Sequence, residues 1–360
     1  MKYSTLALTL ASILSVGAAS AATIYKNENG DNLKIYGGME IGGTFVSDTD
    51  KTPFGSDSTY VDDSFMTIGA KGSTGDFYAK FELDAERQDW TNDNNIRLVV
   101  DKAYVGYKLT AKQSIEFGRT DTAYDHYDAF GDVTNELGAG ISEAGDQDNT
   151  LKYRGQFGNI KVGISHSLEG WDGTTAKNTS YIVDNSDPNN IIVTPKVTNT
   201  GEPKKYSYET DSLYGQVTNG YIGYFGDDFT ILVGAESGDE TEIYSLHSQV
   251  KLGDFTVSGL VWDQTKNFNK DESSEKNIVG ANIGTKYKLT EKLSLLASVN
   301  YEDLDNVKAS KEDYKSEWLV VGGEYKYAKN VKLAAEVSIG DVLKNGESGA
   351  LGYVKAYYWF

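Results

Sequence analysis

From Leu33 onward, apolar and polar residues alternate with a period of two, the mark of strands with one apolar and one polar face. In 33–46, Leu33, Ile35, Met39, Ile41 and Phe45 share one face, and Lys34, Tyr36, Glu40 and Thr44 the other. In 76–87, Phe77, Ala79, Phe81 and Leu83 oppose Tyr78, Lys80, Glu82 and Asp84; in 292–304, Leu293, Leu295, Ala297 and Val299 oppose Ser294, Ser298 and Asn300. The pattern predicts 16 strands, at 33–46, 65–73, 76–87, 97–109, 112–119, 149–156, 160–169, 206–226, 229–237, 242–253, 254–265, 277–290, 292–304, 316–329, 331–342 and 349–360. Short turns, such as 72–75, 110–112, 158–159, 226–228, 253–254, 290–292 and 328–330, separate longer connections at 47–64, 120–148, 170–205, 266–276 and 305–315. A soluble sandwich has no reason to gather short turns at one end and long loops at the other, whereas a barrel crossing an outer membrane does. In lipid, every backbone N–H and C=O needs a partner within the protein, which a closed barrel supplies. The predicted fold is therefore all-β, a transmembrane antiparallel β-barrel of 16 strands. Sixteen strands leave a water-filled interior, which accounts for a mean hydropathy of −0.46.

Composition sharpens this picture. No segment after residue 21 is apolar for 18 residues, so no spanning helix is expected. The chain has no cysteine, and disulfides contribute nothing to its stability. No linker or composition break divides it. At the N-terminus, Lys2, the apolar run Leu6 to Val16 and the A-x-A site Ala19-Ser20-Ala21 read as a secretory signal peptide spanning 1–21, cleaved to leave 22–360 as one domain. The chain carries 34 basic and 53 acidic residues, a net charge of −19 that becomes −20 once Lys2 is removed. Such a balance excludes nucleic acid as a partner, since phosphate recognition needs a basic footprint.

Several segments resemble the Gram-negative general porin family, the trimeric 16-stranded outer-membrane diffusion porins. "ATIYKNENGDNLKIYGG" (22–38) is similar to the family's opening arm and first strand, and "FMTIGAKGSTGDFYAKFEL" (65–83) to its second and third strands. "IEFGRTDTAYDHYDAFGD" (115–132) resembles its fifth strand and the start of its third loop, and "YYWF" (357–360) its aromatic ending. The resemblance implies a passive channel in the outer membrane for small hydrophilic solutes and ions, with no reaction and no cofactor or metal. It implies a homotrimer in contact with outer-membrane lipid and lipopolysaccharide. It also implies a third loop folded into the lumen, its acids facing a basic wall. Asp132, Glu136 and Gly138 fit the loop's two acids four apart followed by glycine, with two residues fewer before the first acid. Glu82 fits a further acid of the constriction. Arg119 fits an arginine that pairs across the trimer, with Asp89 and Asp93 as possible partners. Tyr358 and Phe360 fit the signal read by the assembly machinery.

The departures are as informative. The family's wall arginines fall on Thr67, Asp101 and Asp146, and its first-strand lysine on Gly38. Lys71, Lys80, Lys152 and Arg154 have the parity to supply a relocated positive wall. With the acids kept and the aligned basic positions lost, cation preference is expected, because charged rings act at close quarters in a narrow pore. Other constellations are weaker. The three histidines, His126, His166 and His247, belong to no recognisable catalytic set. The acidic loops 184–190 and 263–277 lack ordered calcium-ligand spacing. Trp90, Trp171, Trp262, Trp318 and Trp359 suit interfacial girdles. Two other readings stay open: a pore selective for sugars or oligosaccharides, with Tyr36 and Tyr78 on its lumen face, and a barrel scaffold for an outer-membrane enzyme or adhesin.

Overall fold

The computed structural model describes residues 22–47, 59–87, 96–168, 179–184, 192–197, 216–238, 241–266, 276–306, 313–343 and 346–360. The expected leader at 1–21 lies outside them, as do Asp89, Asp93, Trp90 and Trp171. The strands are β1 Ala22–Lys26, β2 Asn32–Val46, β3 Tyr60–Asp62, β4 Phe65–Thr74, β5 Phe77–Arg87, β6 Ile96–Thr110, β7 Gln113–Asp121, β8 Asp146–Phe157, β9 Ile160–Ser167 and β10 Thr179–Asp184. They continue as β11 Ile192–Val197, β12 Val217–Phe225, β13 Phe229–Gly238, β14 Thr241–Leu252, β15 Phe255–Lys266, β16 Lys276–Lys288, β17 Leu293–Asn306, β18 Tyr314–Ala328, β19 Val331–Gly340 and β20 Gly349–Trp359.

Sixteen of these, β2, β4 to β9 and β12 to β20, form one closed antiparallel barrel in chain order. It closes where β20 pairs with β2, Gly38 opposite Trp359 and Val46 opposite Leu351. Two short strands extend it: β1 pairs with the start of β2 and β3 with its end. The connection expected to be a bare loop at 170–205 instead holds the hairpin β10–β11, a separate two-stranded sheet. Its strands, "TSYIVD" and "IVTPKV", are rich in β-branched residues but too short to register as alternation. Of the strand expected at 206–226, only 216–226 lies in described residues, and Val217–Phe225 of it is strand.

The alternation sorts as expected. Ile41, Phe45, Phe81, Val299 and Val354 are exposed on the outer surface, whereas Glu82, Ser298, Asn300 and Lys355 are buried on the inner one. Beside the short turns, exposed Phe77, Phe157, Tyr224, Phe229, Phe255 and Tyr327 form an aromatic rim. Two tryptophans do not belong to a girdle. Trp262 is buried on the inner side and Trp318 donates inward, because both shield the segment between β7 and β8. That segment carries the core. Val133 and Leu137 pack with Leu296, Val320 and Tyr353, and Tyr124, Ala139 and Ile141 pack with Tyr221, Leu232 and Leu260.

One irregularity positions charge. Between β5 and β6 the register shifts: Lys102 faces Glu82, Val100 faces Leu83, and Asp101 is the extra residue. A bulge breaks the alternation, so Asp101 and Lys102 both reach the inner side, where they ion-pair at 3.2 Å.

Candidate functional site

The segment 122–145 crosses the inside of the barrel, held to inward-facing side chains of eight successive strands. On β12, Asn219 accepts from the Tyr124 N–H (3.2 Å). On β13, Glu236 accepts from the Ala144 N–H (2.9 Å). On β14, His247 lies 2.5 Å from the Phe130 carbonyl through Nδ1. On β15, Gln264 pairs with the backbone of Ser142. On β16, Asn282 donates to Asp132 (3.3 Å), and on β17, Asn300 accepts from the Ala139 N–H (2.9 Å). On β18, Trp318 Nε1 donates to the Leu137 carbonyl (2.8 Å). On β19, Glu336 accepts from the backbone N–H groups of Asn135, Glu136 and Leu137 and from the Asn135 side chain. These bonds account for backbone groups that no strand ladder satisfies.

The two loop acids have different surroundings. Asp132 is engaged: its oxygens accept from the Thr134 N–H and Thr134 hydroxyl, each at 2.8 Å, as an Asx turn. Gly138 lies against it, and a Cβ there would stand 2.1 Å from Asp132 Oδ2, so the turn has room only for glycine. Glu136 is exposed to the channel. Its place inside the barrel still reduces hydration, which, reinforced by Asp63 and Glu336 and opposed by Lys355, pushes its pKa up to about 7. At the start of the segment, Asp125, Asp128 and Glu143 crowd together, and loss of hydration pushes Asp125 to about 7 and Asp128 to about 6. Carboxylate oxygens of Asp121, Asp125 and Asp146 also lie within 4.8 Å of one another. These two trios are where a hard cation would find oxygen ligands.

Opposite lies the uncovered wall. Lys80 and Glu82 are paired at 3.1 Å, with Lys80 5.7 Å from the centre of the Tyr36 ring. Lys152 and Arg154 do not stand as free cations: both bind Glu116, at 2.9 and 2.7 Å. Lys71 lies 5.1 Å from the centre of the Tyr36 ring. Lys355 is held by Glu40 (3.0 Å) and Asp63 (2.6 Å). Lys102 meets Asp101, Asp121 and Asp146. Among these wall residues, seven carboxylates stand against six cations, Lys71 included. Asp101 and Asp146, aligned with basic positions of the family, thus surround a lysine, and it is Asp101 that alternation would place on the outer face. Glu116, Lys355 and Lys102 have inward parity and could be read from the sequence; the inward turn of Asp101 could not. Arg119 lies near the outward-facing Phe117, donating to the Val100 carbonyl (2.6 Å) and near Asp148 (3.4 Å). At the seam, Phe360 and Gly37 exchange backbone hydrogen bonds, and Tyr358 faces outward.

A closed barrel of 16 strands, apolar outside, charged inside and carrying one of its own connections within, defines an outer-membrane β-barrel of the channel-forming class. The chain belongs to the Gram-negative porin family, whose model it matches over residues 6–342. It is 25% identical over 282 residues to the outer membrane protein YedS of Escherichia coli, covering 74% of this chain and 70% of that protein. It is 31% identical over 150 residues to the outer membrane protein Omp-EA of Erwinia amylovora, covering 39% of this chain and only 37% of that one. Outer membrane porin C of Salmonella typhimurium is 30% identical over 162 residues, 43% of this chain and 39% of its own. Among solved structures, Salmonella typhi OmpF in complex with daunomycin superposes with a TM-score of 0.64 at 13% identity, covering 94% of this chain and all of its own. The anion-selective porin from Comamonas acidovorans does so at 0.62 and 13%, covering 92% of this chain and all of its own. These likenesses place the protein in the outer membrane.

Proposed function

We propose that the protein is a passive diffusion channel that catalyses no reaction and admits small hydrophilic solutes and ions with a preference for cations. The segment 122–145 is its constriction, with Glu136 as the acid presented to the passing solute. The observation that carries this reading is the excess of carboxylates over cations on the uncovered wall, facing a segment that adds Asp132 and Glu136. A porin described as anion-selective shares the fold, so the sign of selectivity must come from side chains such as these. The family resemblance supports a homotrimer, contact with lipopolysaccharide and removal of 1–21 on export.

The test is the zero-current potential of purified protein across a salt gradient in a planar bilayer. Cation selectivity is expected, weakened by Glu136→Gln; anion selectivity overturns the reading. A second reading, selectivity for sugars, draws on the aromatic cluster where Tyr127 meets Tyr221 (4.4 Å) and Phe225 (5.3 Å). Block of the current by added oligosaccharide would favour it. An enzymatic reading finds less support. The Ser245–His247 contact (2.8 Å) is buried, and the other ring nitrogen of His247 faces a backbone carbonyl rather than a carboxylate.

A further inference from the structure

The segment 122–145 leaves and re-enters the barrel between Asp121, the last residue of β7, and Asp146, the first of β8, and these two are direct cross-strand partners. Like charges placed opposite each other on neighbouring strands push the strands apart. Here the pair sits at the narrow stem of an inward-turning connection, where the bond from the Thr122 N–H to the Gly145 carbonyl (3.1 Å) continues the ladder. Three strands contribute to the answer. Lys102, paired across the sheet with inward-facing Glu82, stands on the inner face beside this pair, and the β5–β6 bulge brings Asp101 in next to it. Its Nζ stands 2.5 Å from Asp121 and in direct contact with Asp146, with Asp101 at 3.2 Å. Lys102 is 5% exposed, so its ion pairs are less screened than those of a surface lysine.

We propose that Lys102 is the positioning residue of the channel: it bridges Asp121 and Asp146 and so fixes the stem from which the inner segment reaches across the lumen. This rests on the reading of 122–145 as the constriction. Without the ammonium, three carboxylates face one another at the stem, the stem splays, and the segment drifts over the open path. The seating of the constriction is then set from outside it, by a residue on the opposite side of the barrel from the strands that hold the segment.

Single-channel recording on the purified full-length protein tests it. Lys102→Met should raise the fraction of time spent in closed or partly closed states at a given voltage, on the order of fivefold for the loss of two or three ion pairs. Lys102→Arg should remain as quiet as the native channel. Adding Asp121→Asn and Asp146→Asn to Lys102→Met should restore quiet conduction, because the repulsion goes with the charges; a general loss of packing would not be rescued this way. Native noise in Lys102→Met, while Glu136→Gln still shifts selectivity, overturns the role of Lys102 and leaves the constriction intact. No effect of either variant on conduction removes both. Should Lys102→Met fail to give a heat-resistant barrel on a gel, rescue of the barrel by the two asparagines supports the proposal, and failure of that rescue overturns it.

Discussion

Asp132 and Glu136 look equivalent in the sequence, two acids on one loop, but only their surroundings decide what each can do. Asp132 folds the turn; Glu136 faces the channel. A carboxyl with a pKa near 7 is charged above that pH and neutral below it. Cation selectivity should therefore fall as pH drops from 8 to 5, and Glu136→Gln should remove most of the step near pH 7. Asp125 and Asp128, titrating near 7 and 6, leave a smaller residue of it. Zero-current potentials recorded across that range check this; an unchanged pH profile in the glutamine variant would show that Glu136 is not the titrating group. Asp132→Ala, by contrast, should loosen the turn, costing about 1–3 kcal/mol of local stability for unsatisfied partners at Thr134 and Asn282. At this scale the sequence told which residues face inward wherever strict alternation held, as at Glu82, Lys80 and Lys152. It could not tell that Lys152 and Arg154 share Glu116, nor that a bulge turns Asp101 inward, because both depend on which strand lies alongside.

At the scale of elements, a carboxylate on β19 anchors the inner segment. Glu336, 2% exposed, accepts three consecutive backbone N–H groups. Bonds to a charged acceptor contribute about 1.5–3 kcal/mol each. Glu336→Gln removes the charge and turns one oxygen into a donor facing donors. Amide exchange at 135–137 should then speed up by at least about tenfold, the factor that corresponds to 1.4 kcal/mol, while the barrel strands keep their protection. Uniform protection in the variant would place the anchor elsewhere. The strands themselves show a repeated device: an inward aromatic ring lies over a glycine on the next strand. Tyr36 covers Gly69, Tyr78 covers Gly106, Tyr221 covers Gly163 and Trp262 covers Gly280. A Cβ at Gly163 would stand 2.4 Å from the Tyr221 ring, so Gly163→Val should tip that ring off the wall and lower the melting temperature. Strand existence and facing were legible from period-two alternation. The β10–β11 hairpin was not, since six residues hold too few alternations to stand out, and the inward course of 122–145 came only through resemblance, for nothing in its own composition says which surface it meets.

At the scale of the molecule, charge and assembly are the quantities at issue. Screening shortens to about 3 Å in 1 M salt, so the contribution of the wider wall should fade there and the remaining selectivity should report the constriction alone; selectivity that is constant from low to high salt would count against a role for the wall. Arg119, its guanidinium tied to Val100 and Asp148, is proposed from the family resemblance as a contact with a second copy of the chain. Arg119→Ala should lower the temperature at which oligomers dissociate on unheated gels, and an unchanged temperature would remove that role.

The seam between β2 and β20 joins the two ends of the described chain, Gly38 beside Trp359 and Gly37 bonded to Phe360. Every other neighbouring pair in the barrel is close in sequence by comparison, so hairpins can form early and locally, while this one contact must wait for the whole sheet to curl round. Until it does, each of the two edge strands presents a row of bare amides and carbonyls, which lipid does not tolerate and which would pair with any other strand at hand. The time between synthesis and closure is therefore the vulnerable interval of this protein's life, and its length is governed by how quickly a few residues at each margin find one another.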